Sequence, residues 1–142
     1  MQNFTSKIYE NTLPPAARDI RETVFVREQG FAEEFDTQDS ASTHILLFAG
    51  ETPCATCRLF AGDAPGEVHI GRVAVYKEMR KSGAGRAVMQ AAEVCAKQKG
   101  FTRAVLSAQV QARPFYEKCG YTAAGGVYPD QGCPHIDMFK DL

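Results

Sequence analysis

The segment Arg80-Lys81-Ser82-Gly83-Ala84-Gly85-Arg86, set between a strand-like run from Val68 to Val75 and a strongly helical run from Ala84 to Lys99, most constrains the fold of this chain. The first N–H groups of a helix are unpaired and carry partial positive charge, so that end is a natural seat for an anionic oxygen. Glycines at 83 and 85 omit the Cβ atoms that would hold a pyrophosphate off the backbone, and Arg80, Lys81 and Arg86 add full charges. The segment asks for a phosphorylated ligand. A P-loop needs Lys followed by Ser or Thr after its second glycine, whereas Gly85 precedes Arg86 and Ala87. The dinucleotide fingerprint needs a third small residue where Val88 stands, and no acidic residue follows at the usual distance. The alternative is a plain tight turn from strand to helix.

Downstream, Ala112-Arg113-Pro114-Phe115-Tyr116-Glu117-Lys118-Cys119-Gly120-Tyr121 places Ala112, Phe115, Tyr116 and Cys119 at i, i+3, i+4 and i+7, one face of a short helix that Gly120 can close. Pro114 fits only in a first turn, which starts that helix near Gln111. Phe115 reads as an anchor of the helix on a sheet, and Tyr116 as a chemical group. Arg80-x-x-Gly83-x-Gly85 resembles the acetyl-CoA pyrophosphate loop of the GNAT superfamily, the Gcn5-related N-acetyltransferases, and the second segment resembles its A-x-x-F-Y-E-x-x-G-[FY] motif. From Arg27-Glu28-Gln29-Gly30 to Pro134-His135-Ile136-Asp137-Met138 the pattern is most similar to the bacterial ElaA/YjcF-like subgroup. Two departures stand out: Gln109 where many members have asparagine, and Gly71 where some carry a glutamate base on the fourth strand.

The resemblance implies one GNAT domain over residues 1–142: a mixed, mostly antiparallel α/β sheet of six to seven strands with about four helices, splayed between strands four and five. It implies acetyl-CoA as co-substrate, with the pantetheine arm pairing like an added strand along Val73, Ala74 and Val75. The pyrophosphate would lie on Arg80, Lys81, Ser82, Gly83, Ala84, Gly85 and Arg86, with Gln109 and Phe115 as further contacts. A backbone N–H near Val73 or Ala74 would stabilise the oxyanion. Tyr116 would protonate the departing thiolate, and a phenol near pKa 10 against a thiol near 8.5 leaves a gap of about 2 kcal/mol. The acceptor is a primary amine, on a small molecule or a peptide. An alkyl amine of pKa about 10.4 is neutral in only about one part in 2,500 at pH 7, so a base is needed. Glu28, His44, His69 and His135 are the candidates, and His44 and His135 read equally as core histidines. Glu33, Glu34, Asp36 and Asp39 form an acidic loop that either attracts a cationic amine or is simply solvated. Two other classes stay open: an acyl-CoA-binding regulatory protein without turnover, kept alive by Gly71, and an interaction domain whose glycine loop is only a turn.

A length of 142 residues suits one domain. A net charge of −1 and a pI near 6.3 provide no basic field, which argues against nucleic acid. No start resembles a leader and no run is long enough to span a bilayer, so a soluble cytoplasmic protein without membrane partners is expected. Members of the superfamily often dimerise, which makes a homodimer an expectation. The five cysteines, at 54, 57, 95, 119 and 133, read as reduced thiols and not as a metal site. Cys54 and Cys57 fall on one strand three residues apart and are expected on opposite faces, while Cys133 is expected in an exposed loop. Strands are expected at 4–9, 44–49, 54–61, 68–75, 104–108, 121–124 and 135–140, with a bulge around Arg72. A first helix should open at Pro14-Pro15, bury Ala17, Ile20 and Val24, and close at Gly30. The helix after the glycine loop should bury Ala84, Ala87, Val88, Ala91, Val94 and Cys95.

Overall fold

A computed structural model describes residues 3–31 and 35–142. Seven strands form one mixed sheet in the order β1-β2-β3-β4-β5-β7-β6. They are β1 (Phe4–Glu10), β2 (Thr43–Ala49), β3 (Thr52–Ala61), β4 (Glu67–Val75), β5 (Arg103–Gln109), β6 (Thr122–Asp130) and β7 (Cys133–Asp141). All neighbours run antiparallel except β4 and β5, which are parallel. The connection between those two is right for a crossover helix, and α2 (Ala84–Gln98) supplies it. Among the described residues the α-helices are three, α1 (Pro15–Arg21), α2 and α3 (Arg113–Lys118), with short 3-10 turns ahead of β2, α2 and α3.

Pro15 opens α1 at its first position, where a missing N–H costs nothing. The helix continues to Glu28, with π geometry from Glu22, and Gly30 closes it at φ +79° as expected. Ala17, Ile20 and Val24 are buried with Leu46 and Ala74 in a cluster on one face of the sheet. The larger cluster, on the opposite face, joins α2 to β2–β5 and β7 through Ile45, Leu59, Ile70, Val88, Met89, Leu106 and Met138. The buried side of α2 is Ala84, Val88, Met89, Ala92, Cys95 and Ala96. Val94, expected inside, is 55% exposed because the packed stripe follows the i+4 steps 84, 88, 92 and 96.

Three bulges shape the sheet, two of them where β3 meets its neighbours. Thr56 pairs with Ala74 and Arg58 with Gly71, so Cys57 alone faces Arg72 and Val73. This is the bulge expected around Arg72, whose φ is +51°. In β3 an extra residue, Cys54, lies between the pairs Leu47–Ala55 and Phe48–Pro53. That bulge overturns the opposite-face expectation: Cys54 and Cys57 join the same core cluster, and burial pushes both thiols up. Cys133 is half-buried and begins β7, and the hairpin turn falls one residue earlier at Gln131-Gly132.

Candidate functional site

β4 and β5 pair only from Glu67 to His69 and from Arg103 to Val105. Beyond that point they part, consistent with the bend that a bulge puts into β4 at Arg72. The opening is a cleft of about 460 Å³ lined by Ile70, Gly71 and Val73 of β4, Leu106, Ser107 and Gln109 of β5, Tyr116 of α3 and His135 of β7. Tyr76 N–H donates to the Cys54 carbonyl of β3, so by alternation along the ladder the amide of Ala74 also faces β3. Val73 and Val75 therefore turn their backbone groups to the β5 side, where Val73 lines the cleft and the Val75 carbonyl is taken by Arg80. Ala74 does not: its side chain is buried against α1, and its expected role as an amide donor passes to its neighbours.

The loop after β4 forms an open cradle of backbone groups at the head of α2. Gly83 takes φ +94°, a conformation that strains any residue with a Cβ, and caps α2. Ala84 N–H leans on Ser82 Oγ at 3.3 Å, while no backbone carbonyl among the described residues takes the amides of Gly83, Gly85 and Arg86. These free amides fit a pyrophosphate. Gly85 has a second reason to lack a side chain, since its Cβ would stand 3.1 Å from the Phe115 ring. Phe115 thus packs on α2 and stays outside the cleft lining. Lys81 and Arg86 are exposed beside the cradle.

Arg80 is engaged otherwise than expected. Its guanidinium makes a two-pronged ion pair with Glu28, one arm at 2.7 Å, and donates to the Val75 carbonyl from Nε at 3.2 Å and from a terminal nitrogen at 3.1 Å. The next residue, Gln29, accepts from Gln109 at 2.9 Å across the cleft. The end of the π-helical turn therefore pins both lips of the opening: Glu28 the β4 side, Gln29 the β5 side. Glu28 faces Arg80 and not the cleft interior, so it is a poor base there.

Tyr116 lies in the cleft, its ring edge-on to Phe115 at 5.0 Å and to Tyr121 at 6.1 Å. Burial pushes its phenol well above the ordinary value. Among the described residues nothing hydrogen-bonds its hydroxyl. The phenol is thus protonated and unspent, and a weaker acid than an ordinary tyrosine.

The histidines divide. His135 is in the cleft, with Nδ1 2.8 Å from the Cys133 carbonyl and its ring over Tyr128. His44 is fully buried away from it, Nε2 2.9 Å from the Asp39 carbonyl, so it is a structural residue and not a substrate contact. His69 stacks on Phe60 at 4.8 Å outside the lining. Asp36 and Asp39 are not a free acidic lure. Asp39 pairs with buried Arg21 at 2.7 Å and Arg58 at 2.9 Å, and Asp36 pairs with Arg58 at 2.7 Å and Arg72 at 3.4 Å. Glu33 and Glu34 lie outside the described residues. Sequence reasoning missed this ion network, and it missed Ser107 and Tyr128. The period-2 relation of Ser107 to Gln109 on β5 would have put Ser107 on the cleft face.

Among the described residues no group of three or more His, Cys, Asp or Glu could hold a metal, and no helix is long and apolar enough to cross a membrane. A mixed sheet parted at its parallel pair, with an open glycine loop at the head of the crossover helix, is the architecture the sequence resemblance implied. The profile of the family described as "Acetyltransferase (GNAT) domain" matches residues 14–142, and the chain belongs to that family. YjcF of Bacillus subtilis, named an uncharacterized N-acetyltransferase, is 38% identical over 125 residues, covering 86% of this chain and 88% of its own. Protein ElaA of Escherichia coli is 30% identical over 132 residues, covering 89% and 86%. The crystal structure of ElaA superposes with a TM-score of 0.80 at 27% identity, covering 97% of this chain and 99% of that one. An acyl-CoA N-acyltransferase from Pseudomonas aeruginosa superposes with a TM-score of 0.79 at 26% identity and the same coverage.

Proposed function

We propose that this protein transfers an acetyl group from acetyl-CoA to a primary amine by direct attack, with both substrates bound together. The observation that carries this reading is the parting of β4 and β5 after His69 and Val105, with Tyr116 exposed to the gap and the free amides of Gly83, Gly85 and Arg86 at its end. Acetyl-CoA supplies an activated thioester. The chain's residues do the rest: Val73 and Val75 offer strand-edge groups to an extended arm, and one of their amides stabilises oxyanion charge. Lys81, Arg86 and the cradle amides hold the phosphates.

Tyr116 Oη gives its proton to the departing sulfur. Burial makes the phenol a weaker acid, which widens the gap of about 2 kcal/mol set by model values. A thiolate leaving beside the buried Tyr116 ring is raised by the same desolvation, so the two move together. Gly71 leaves no carboxylate on the stretch of β4 that lines the cleft, and the base must come from elsewhere in it. This gap is what favours the second reading, a CoA-binding protein without turnover.

The test is a CoA thermal shift paired with thiol release from acetyl-CoA over a panel of amines. A shift with release supports the transferase. A shift without release for any amine selects the second reading, and no shift removes both.

A further inference from the structure

We infer that Ser107, Tyr128 and Asp137 form a proton relay that draws a proton from the acceptor amine in the cleft to the protein surface; the inference rests on the transferase reading. Ser107 Oγ hydrogen-bonds Tyr128 Oη, and Tyr128 Oη lies 2.6 Å from Asp137 Oδ1. Ser107 lines the cleft and Asp137 is exposed, so the chain is open at both ends.

Its polarity is fixed by chemistry. A carboxylate only accepts, so Tyr128 donates to Asp137. The Tyr128 oxygen then accepts from Ser107, whose own lone pairs are left for the cleft. The site therefore presents an acceptor to its substrate and selects an N–H donor.

The fold places the three groups deliberately. Ser107 and Asp137 are directly opposed across β5 and β7. On β6, Ala124 pairs with Asp137 and Tyr128 with His135, so Gly125-Gly126-Val127 spans one residue of β7 in a bulge. Bulges re-aim side chains, and here the bulge sets Tyr128 over the Ser107–Asp137 pair. Among the described residues the other titratable groups around the chain are His135, stacked on Tyr128, with His69 and Asp130 within electrostatic reach.

The transfer balances. An ammonium N–H bond breaks as its proton goes to Ser107 Oγ. The Ser107 proton passes to Tyr128 Oη, and the Tyr128 proton passes to Asp137. Three bonds to hydrogen break and three form, leaving a neutral amine with its lone pair and a carboxylic acid that loses its proton to solvent. Ser107 is the catalytic member, and Tyr128 and Asp137 act through it.

The experiment measures thiol release from acetyl-CoA with two nucleophiles, ethylamine, which must lose a proton before attack, and hydroxylamine, which is already mostly neutral at pH 7. Ser107→Ala, Tyr128→Phe and Asp137→Asn should each lower kcat/KM for ethylamine by ~100-fold, the scale of general-base catalysis. Hydroxylamine should lose much less, CoA affinity by calorimetry should hold, and Ser107→Thr should retain the ethylamine rate. Equal losses with both nucleophiles, no loss, or a loss confined to His135→Asn would overturn the relay. A parent protein that releases no thiol with either nucleophile, while still binding CoA, would overturn the transferase reading and the relay with it.

Discussion

Tyr116 and Arg80 show how far a side chain's neighbours decide its role. Tyr116 has no hydrogen-bond partner of its own among the described residues, so Tyr116→Phe removes a proton and little packing. The expected outcome is a fall in kcat of ~100-fold with unchanged CoA affinity, and a pH–rate profile without its alkaline limb. An unaltered rate would put the acid elsewhere. Arg80 has the opposite problem, because Glu28 and the Val75 carbonyl already hold it. The Glu28 pair lowers the carboxyl and raises the guanidinium, each chiefly through their shared hydrogen bonds. Both side chains are about a third exposed, so the pair is worth at most about 1 kcal/mol. Glu28→Gln should therefore tighten CoA binding by up to ~5-fold, most clearly at low salt, as Arg80 becomes free to meet phosphate. Weaker binding measured by calorimetry would mean that Glu28 instead holds Arg80 in its working position.

At the scale of elements, the contact between α2 and α3 is the joint that brings the cradle and the tyrosine together. Gly85→Ala gains about 1 kcal/mol of helix propensity but drives a methyl to 3.1 Å from a ring pinned by Tyr116. Overpacking of this kind costs about 1–3 kcal/mol, so a net loss near 1 kcal/mol is expected by urea unfolding. The same change in a Phe115→Leu background should become a gain, and a double-mutant cycle without coupling would show that the contact is slack. The sequence announced this joint through its two motifs, and it announced α1 through Pro15 and its apolar positions. Strand existence was legible for all seven. Several of the misses share a physical cause, a local change of period. The π turn at Glu22–Glu28 aims Glu28 and Gln29 across the cleft, the extra residue at Cys54 reverses a face, and the bulge in β6 sets Tyr128 over Asp137. Periodicity arguments assume a constant step, and these elements do not keep it. The ion network on Asp39 was hidden for a different reason, since its members come from Arg21 of α1, Arg58 of β3 and the segment before β2, far apart in the chain.

For the whole molecule, buried charge on the α1 face ties stability to pH. Burial opposes ionisation of Asp39, but Arg21 and Arg58 outweigh it and hold its carboxyl below the usual range; Arg58 does the same for Asp36. Burial, the larger influence, lowers His44 and His69 despite the nearby Asp39 that favours the charged His44. Among the described residues His44 Nδ1 is buried without a partner, so a second ring proton would meet no acceptor there and would sit beside Arg21 and Arg58. Unfolding frees both histidines to titrate near 6.5. Below that pH the unfolded chain binds more protons than the native one, so stability falls as pH drops from about 6.5 toward the depressed native values. The carboxylates act lower: their contribution is full above the unfolded value of about 3.9 and is lost as pH falls through the native ones. Urea midpoints should therefore be level above pH 7, decline from pH 6.5 toward 5, and fall again below pH 4. His44→Gln, which has no second proton to take up, should flatten the first decline while leaving the second intact. A parent midpoint that stays level from pH 7 to pH 5 would mean that the two rings bind protons equally in the native and unfolded chains, and that their burial carries no charge penalty.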